Sequence, residues 1–354
     1  MEPWLEPRAV RLDASTACQL RCPGCPTTTG EVGQHLGTGV LKLDDFVRFL
    51  GRHPKVEQIE LSNWGETFLN PELPQILRHA HEKGVALTMA NGVNLNRATP
   101  EALEAVVRYR LRHLSCSIDG ATQKTYSAYR VNGDLERVIG NVRQIQELKK
   151  RYRSRFPVLQ WQFVAFGHNE HEIGKARDIA RQLGMKFHVK LAWDDLYGAP
   201  QSPVRDRDGL RQASNTGSAD RREYENVHGR HYIEDACHQM WTSPQVNMDG
   251  RVLGCTINHS QDYGNAFRDG LETVLAADRM QRARRMLMGL VGPQADIPCS
   301  TCSVYAYRQQ HLRWVNPVEL THPHIPGEQR KLAGLPLRLW RWTHNLVRRM
   351  TCPH

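Results

Sequence analysis

The chain has 354 residues, a length that fits one large α/β domain with a smaller appendage. Hydrophobic residues make up 40% of it, enough for a sizeable core, and no apolar run resembles a membrane span or a secretory signal. We therefore expect a soluble, cytoplasmic protein without a transmembrane segment. The net charge of +10 favours anionic partners, but outside the C-terminal tail the basic residues do not interleave with aromatic residues, which argues against nucleic acid.

Short apolar runs alternate with helical patterns over the first half of the chain. The runs that we predict to be strands are 9–15, 56–62, 85–90, 113–118, 159–166 and 186–192. The third is expected to stop at an Asn91-Gly92 turn. Six successive β–α units predict a parallel sheet with helices outside it, here a partial (β/α)6 TIM-like barrel. The reactive loops of such a fold lie at the carboxyl ends of its strands.

The rest of the chain changes character twice. Residues 198–232 are polar, charged and poor in apolar periodicity, which indicates a linker or a lid. Residues 233–310 hold a second group of cysteines, and residues 311–354 form a basic tail. We interpret the tail as a helix packed on the body, in preference to a membrane or nucleic-acid contact. The expected division is therefore a barrel over 1–197 followed by these three segments.

Seven of the nine cysteines fall into two groups, which in a reducing compartment indicates metal binding rather than disulfides. The first group, in "TACQLRCPGCP", has C-x3-C-x2-C spacing and follows the first predicted strand. Three thiolates can hold three irons of a [4Fe–4S] cube and leave the fourth iron to an outside ligand with an amine and a carboxylate. The alternative is a zinc ion completed by a distant His or Asp. Cys116 is expected to be a core thiol and Cys352 a bystander. The two groups are Cys18, Cys22 and Cys25, and Cys237, Cys255, Cys299 and Cys302.

The first motif, at the end of strand one in a chain of six β/α units, resembles that of the radical S-adenosylmethionine (SAM) enzymes. The resemblance implies that SAM binds the fourth iron and is cleaved reductively to a 5′-deoxyadenosyl radical, which abstracts hydrogen from a substrate. It also implies an external one-electron donor such as a flavodoxin or ferredoxin. Gly24 departs from the family, which commonly has an aromatic residue beside the adenine at this position. Adenine stacking must then come from elsewhere or be absent.

Further segments are similar to the SAM-binding motifs of that family. Trp64-Gly65-Glu66 stands where the family has Gly-Gly-Glu or Gly-Glu-Pro, which implies a glycine for close backbone approach to the ligand and a carboxylate for the methionyl ammonium. In "SCSIDGATQKTYSAYR" a serine and an arginine match residues that bind the methionyl carboxylate, although a surface ion pair between Arg130 and Asp134 is an alternative. The resemblance also implies that Asn91 and Gln162 lie near the cofactor. The alternatives are a turn-forming role for Asn91 and a polar role in the core for Gln162. The predicted SAM-site residues are Trp64, Gly65, Glu66, Asn91, Ser117, Arg130 and Gln162.

The second cysteine group resembles the start of a SPASM/twitch extension. The resemblance implies a small C-terminal β-hairpin/helix domain, with its turn at Met248-Asp249-Gly250 and with Cys299 and Cys302 closing the site from a helix start. Four cysteines imply one auxiliary [4Fe–4S] cluster ligated entirely by protein, which suits electron transfer. A structural zinc ribbon is the competing interpretation.

The layout implies a two-electron oxidation, or another modification, of a peptide or small-molecule substrate. The oxidative route needs a base, for which Asp194 and Asp195 at the end of strand six are the positional candidates, with a solvated acidic pair as the alternative. Redox-neutral epimerisation or carbon–carbon bond formation is the nearest variant. An alternative from another class is a non-catalytic zinc or Fe–S scaffold that binds polyanions.

Overall fold

The computed structural model describes residues 7–193 and 203–316. Asp194, Asp195, Cys352 and almost all of the predicted tail lie outside these residues. The α/β class is confirmed, because one eight-stranded sheet has the order β6-β5-β4-β3-β2-β1-β7-β8. The strands from β1 to β6 pair in parallel, as the six β–α units predict. The strands are β1 (Ala9–Leu12), β2 (Gln58–Glu60), β3 (Ala86–Val93), β4 (His113–Ser117), β5 (Val158–Val164), β6 (Lys186–Lys190), β7 (Gln245–Val246) and β8 (Val252–Gly254).

The helices cover the sheet and connect its strands. Those in the first half of the chain are α1 (Pro26–Thr29), α2 (Glu31–Leu36), α3 (Leu43–Arg52), α4 (Leu73–Glu82), α5 (Pro100–Arg108), α6 (Gln123–Tyr129), α7 (Leu135–Arg151) and α8 (Ile173–Gln182). Those in the second half are α9 (Arg207–Ala213), α10 (Arg221–His228), α11 (Gln239–Thr242), α12 (Ala266–Asp269), α13 (Leu271–Ala276), α14 (Asp278–Leu287) and α15 (Ser303–Gln310). Single 3-10 turns occupy Thr67–Leu69, Glu170–Glu172, Glu234–His238 and Pro298–Thr301.

Capping residues explain where the long helices begin. Thr99 precedes α5 and its hydroxyl accepts a hydrogen bond from the amide of Ala102 (3.2 Å), and a proline takes the first helical position. Asp134 caps α7 in the same way through the amide of Arg137 (3.0 Å). Each helix buries an apolar stripe, which on α7 includes Val138, completely buried. The caps and the stripes together fix both helices against the sheet.

Two expectations about chain path differ from the structure. β3 does not stop at a turn at Asn91-Gly92: it continues to Val93, with a register shift against β4 between Met89 and Val93. The irregular pairing lets the strand pass a pair of residues that usually break strands. The described part of the 198–232 segment, 203–232, contains α9 and α10, so it is more ordered than a loop without secondary structure.

The predicted hairpin is present, and it also extends the barrel sheet. β7 and β8 are antiparallel, and Gly250 donates its amide to the carbonyl of Asn247 (2.9 Å) in the turn between them. β7 pairs in parallel with β1 through Arg11 and Leu12. The hairpin, whose second strand ends next to Cys255, therefore joins the strand that precedes the first cysteine group. No helix among the described residues is both long and apolar enough to cross a membrane.

Candidate active site

The first three cysteines lie on the loop after β1, as predicted. Cys22 is buried, and Cys18 and Cys25 are half-buried. The amide of Cys25 donates to the carbonyl of Cys22 (3.2 Å), which turns the C-x2-C segment back on itself. Burial, followed by the charges of Glu66, Cys22 and Cys25, raises the pKa of the Cys18 thiol to about 12. Burial disfavours the thiolate form of Cys18, and a bound cation would favour it, as in a metal centre.

One cavity of about 440 Å³ joins the residues of the predicted site. It opens at the carboxyl ends of the parallel strands, where the loops after β1 to β6 meet. The four cysteines of the second group do not line it. The predicted residues that do line it are Cys18, Cys22, Cys25, Trp64, Gly65, Glu66, Asn91, Ser117, Arg130 and Gln162.

Glu66 is held in the cavity wall by two backbone amides. Its Oε1 accepts from the amide of Phe68 (3.1 Å) and its Oε2 from the amide of Asn94 (2.6 Å). The side chain is 1% exposed, and burial raises its pKa to about 7, against the opposing effect of the two amides. A buried carboxylate with unused lone pairs suits a cationic ammonium partner, which would favour the ionised form.

Gly65 is required by the contact between two loops. Its φ is +69°, and a Cβ atom there would lie 2.6 Å from the carbonyl oxygen of Ser15 and 2.7 Å from that of Ala17. The next amide, of Glu66, donates to the carbonyl of Ala17 (2.7 Å). Glycine is therefore required because the loop after β2 approaches the cysteine loop closely at this point. The contact holds the two loops together.

Arg130 is half-buried and forms an ion pair with Asp119, so the alternative of a surface pair with Asp134 is wrong. Its Nε donates to Asp119 Oδ2 (2.5 Å), and Asp119 is completely buried, while Asp134 caps α7. The Nη1 of Arg130 donates to the sulfur of Cys22 (3.6 Å). Asp119 also accepts from the amide of Val164 (2.6 Å), so the pair links β4, β5 and the cysteine loop.

The remaining predicted residues occupy neighbouring strands. Gln162 Nε2 donates to Ser117 Oγ (3.4 Å) between the paired strands β5 and β4. Asn91 Nδ2 donates to Asn63 Oδ1 (3.0 Å), and Asn63 Nδ2 donates to the carbonyl of Thr256 (3.2 Å). This chain of amides connects β3 to the residue that follows Cys255.

The cavity also contains residues that the sequence analysis missed. Tyr129 and Phe166 form an aromatic wall with ring centroids 4.6 Å apart. Lys190, the last residue of β6, places its Nζ 4.7 Å from the ring centroid of Trp193. Burial, followed by the charge of Arg221, lowers the pKa of this lysine to about 8. The sequence did place Lys190 at the carboxyl end of a predicted strand. This position could have indicated that the lysine lies in the site, because the loops at that end of the strands form it.

The second group of cysteines also comes together. Cys237 is buried, and burial raises its pKa to about 12, with Arg308 opposing this and the charges of Cys255 and Cys302 adding to it. The pKa of Cys299 is raised by burial and by the other three cysteines, and its sulfur lies 3.9 Å from the hydroxyl of Tyr263. Cys299 lies in the 3-10 turn and Cys302 directly precedes α15, which confirms the predicted helix start. Cys116 is a buried core thiol, as expected.

The two sulfur sets fit the iron–sulfur clusters that the resemblance implies. Asn94 Nδ2 donates to the sulfur of Cys18 (3.8 Å), and the Arg130 guanidinium donates to that of Cys22, which are the contacts that stabilise cluster-bound thiolates. Trp64 Nε1, buried in the cavity wall, has no hydrogen-bond partner among the described residues and remains free to bind a polar ligand. In the described part of the chain no group of three or more His, Cys, Asp or Glu side chains is arranged around a single metal ion.

The fold and the two cysteine groups are those of an iron–sulfur protein built on a partial barrel. Comparison with known proteins supports this class. Residues 13–176 match the family model of the radical SAM superfamily, and residues 237–303 match SPASM, an iron-sulfur cluster-binding domain. The chain therefore contains a radical SAM domain followed by a SPASM domain, and the two domains imply a SAM-binding [4Fe–4S] cluster and auxiliary cluster chemistry. A search of curated protein sequences found no match.

Several solved structures share the fold. SuiB of Streptococcus suis, bound to its precursor peptide SuiA, aligns with a TM-score of 0.61 and 14% identity over 84% of this chain and 70% of its own. The protein anSMEcpe with bound AdoMet aligns with a TM-score of 0.56 and 14% identity, over 83% of this chain and 86% of its own. A structure of anSMEcpe with AdoMet and a peptide has a TM-score of 0.55 and 13% identity, over 84% and 86% of the two chains.

Proposed function

We propose that this enzyme modifies a peptide by two-electron oxidation. When bound, SAM on the first [4Fe–4S] cluster supplies a 5′-deoxyadenosyl radical, and one auxiliary [4Fe–4S] cluster supplies an electron acceptor. The observation that carries the proposal is the composition of the cavity. Cys18, Cys22 and Cys25 line one part of it, and Ala236 and Thr256, the chain neighbours of Cys237 and Cys255, line another. A substrate in the cavity therefore lies between the two cysteine groups.

The polar residues of the cavity would bind and orient SAM. Glu66 would accept hydrogen bonds from the methionyl ammonium. Arg130 uses its Nε on Asp119 and its Nη1 on Cys22, which leaves further N–H donors for the methionyl carboxylate beside Ser117. The aromatic wall would replace the aromatic residue that Gly24 lacks, by stacking against the adenine.

Oxidation removes a hydrogen atom, a proton and an electron from the substrate, so the chain must accept a proton. Asp194 and Asp195 stay the proposed acceptors because they follow Trp193 in the sequence, and Trp193 lines the cavity. Among the described residues, Asp235 and Lys190 also line the cavity. With its pKa lowered to about 8, Lys190 is the cation there that most readily exchanges a proton.

A peptide substrate is supported by the fold neighbours, since SuiB and anSMEcpe were both solved with peptides. The test uses protein reconstituted with iron and sulfide under anaerobic conditions, together with SAM, dithionite and short peptides encoded beside the gene. Liquid chromatography with mass detection should find 5′-deoxyadenosine and a peptide lighter by two hydrogen atoms.

Three cysteine variants separate the parts of the proposal. Cys22→Ala should abolish both products, because it removes a ligand of the first cluster. Cys255→Ala should keep 5′-deoxyadenosine formation and lose the oxidised peptide. Cys116→Ala, which changes a buried thiol outside both groups, is the control and should keep both. A modified peptide of unchanged mass would contradict oxidation, and no 5′-deoxyadenosine with any peptide would contradict the enzyme assignment.

A further inference from the structure

One basic pattern occurs twice at the end of the barrel opposite the cysteine cavity. Residues 108–112 read RYRLR at the end of α5, and residues 151–155 read RYRSR at the end of α7. The strands that follow, β4 and β5, are neighbours and pair His113 with Val158. Pairing of the sheet thus places both segments at the amino ends of adjacent strands. The carboxyl end of the five-residue β4 lies about 13 Å further along the strand.

The two segments have the same backbone conformation. In each, the amide of the third residue donates to the carbonyl three residues earlier, at 3.2 and 3.1 Å. The amide of the fourth donates to the carbonyl five residues earlier, at 3.0 and 2.9 Å. The third residues, Arg110 and Arg153, have φ of +55° and +48°. This is the Schellman ending of a helix, whose left-handed position favours glycine.

Two other helices of this chain that lead into strands have glycine at this position. Helices α4 and α8 precede β3 and β6 and end with the same two hydrogen bonds. Their left-handed residues are Gly84, at φ +74°, and Gly184, at φ +64°. Arg110 and Arg153 therefore strain the backbone where glycine would not. A strained conformation held by a charged residue points to a role for the charge.

The two segments surround one cavity of about 490 Å³ that no acidic residue lines. Arg112 and Arg155 both stack on the ring of Phe156, with their Cζ atoms 4.6 and 4.9 Å from its centroid. Among the described residues, the arginines that line this cavity form no ion pair with a carboxylate. Like charges this close repel one another unless an anion lies between them. The arginines that line this arginine cavity are Arg108, Arg110, Arg112, Arg153 and Arg155.

The hydroxyl groups of the cavity already have partners. Tyr152 donates its hydroxyl hydrogen to Glu104, and Ser154 donates to the carbonyl of Phe156 (2.9 Å). The donors left for a ligand are therefore guanidinium forks. Their paired N–H groups match the oxygens of a phosphate, and several forks together match an anion with more than one phosphate. The volume suits a small molecule.

We propose that the arginine cavity binds a small anion with two or more linked phosphate groups, for which pyrophosphate is the simplest probe. The site is independent of the proposed oxidation, since it lies at the other end of the barrel. Its test therefore needs no turnover.

The test is isothermal titration calorimetry of the cluster-loaded full chain with pyrophosphate at fixed ionic strength. The informative variant is Arg110→Gly with Arg153→Gly, because glycine relieves the left-handed strain while it removes both charges. We expect this variant to unfold at the same temperature as the natural protein or higher, and to bind pyrophosphate at least tenfold more weakly. The control, Arg143→Gln with Lys175→Gln, makes the same change of charge at exposed helical residues that do not line the cavity. It should bind normally.

Each other outcome would overturn the proposal. These are the absence of saturable pyrophosphate binding, equal affinity in the glycine variant, and an equal loss in the charge-matched control, which would reveal only nonspecific attraction. Binding of a hexaglutamate peptide but not of pyrophosphate would also overturn it, since the surface would then recognise carboxylates.

Discussion

Replacing Asp119 by Asn tests the ion pair that holds Arg130 in the candidate site. Asp119 is completely buried, and Arg130 Nε donates to it at 2.5 Å. The substitution keeps the size of the side chain but leaves the guanidinium of Arg130, which is 16% exposed, without its charge partner, and this costs about 3 kcal/mol or more, the lower end of the range for a buried pair. With a urea slope of about 3 kcal/mol per molar, the unfolding midpoint should fall by about 1 M or more. Tryptophan fluorescence of the cluster-loaded protein in urea measures it.

Asp134→Asn is the matched control, because Asp134 was the other candidate partner of this arginine. It caps α7, and asparagine caps as well as aspartate does, so the midpoint should fall by less than about 0.3 M. SAM binding, measured by equilibrium dialysis, should also weaken in Asp119→Asn and stay unchanged in the control. Equal losses of stability in the two variants would contradict this prediction, because they would mean that Arg130 does not depend on its pair with Asp119.

Three further predictions concern the clusters, the lysine and the glycine. Iron analysis after anaerobic reconstitution should give about eight irons per chain, falling to about four in Cys22→Ala and in Cys255→Ala; zinc in place of half of the iron would contradict an auxiliary cluster. The fold lowers the pKa of Lys190 from 10.5 to about 8, so between these pH values the lysine is more protonated in the unfolded chain than in the folded chain. The free energy of unfolding should therefore rise between pH 8 and pH 10.5, by at most about 3 kcal/mol, and a rise that persists in Lys190→Met would exclude this residue as its source. Gly65→Ala should cost about 1–3 kcal/mol and reduce the iron content, since its Cβ would clash with the carbonyl of Ser15; a normal urea midpoint and normal iron would contradict this.

Local patterns were enough to predict the fold class and the grouping of the cysteines. Strand-length apolar runs that alternate with helical patterns predict parallel β–α units, and the sheet confirms them. The C-x3-C-x2-C spacing and the Asp249-Gly250 turn are equally local, and each lies where the sequence placed it. These features are set by backbone preference and by residue spacing within a few positions, so a single sequence carries them.

Contacts between distant segments could not be predicted in this way. Arg130 pairs with Asp119, although Asp134 is nearer to it in the sequence. The folded sheet buries Asp119 where β4 and β5 meet, within reach of the guanidinium. The passage of β3 through Asn91-Gly92 depends on its pairing with β4, which overrides the turn preference of those two residues.

Residue type and local pattern were sufficient to identify the residues that are able to ligate metal and the positions of most of the strands. It took the folded chain to show that Lys190 faces the cavity, that β7 joins β1, and that two RYRxR segments meet around one space. The physical reason is that spacing along the chain fixes local geometry, whereas charge pairing, burial and cavity shape depend on which segments the folded sheet brings side by side.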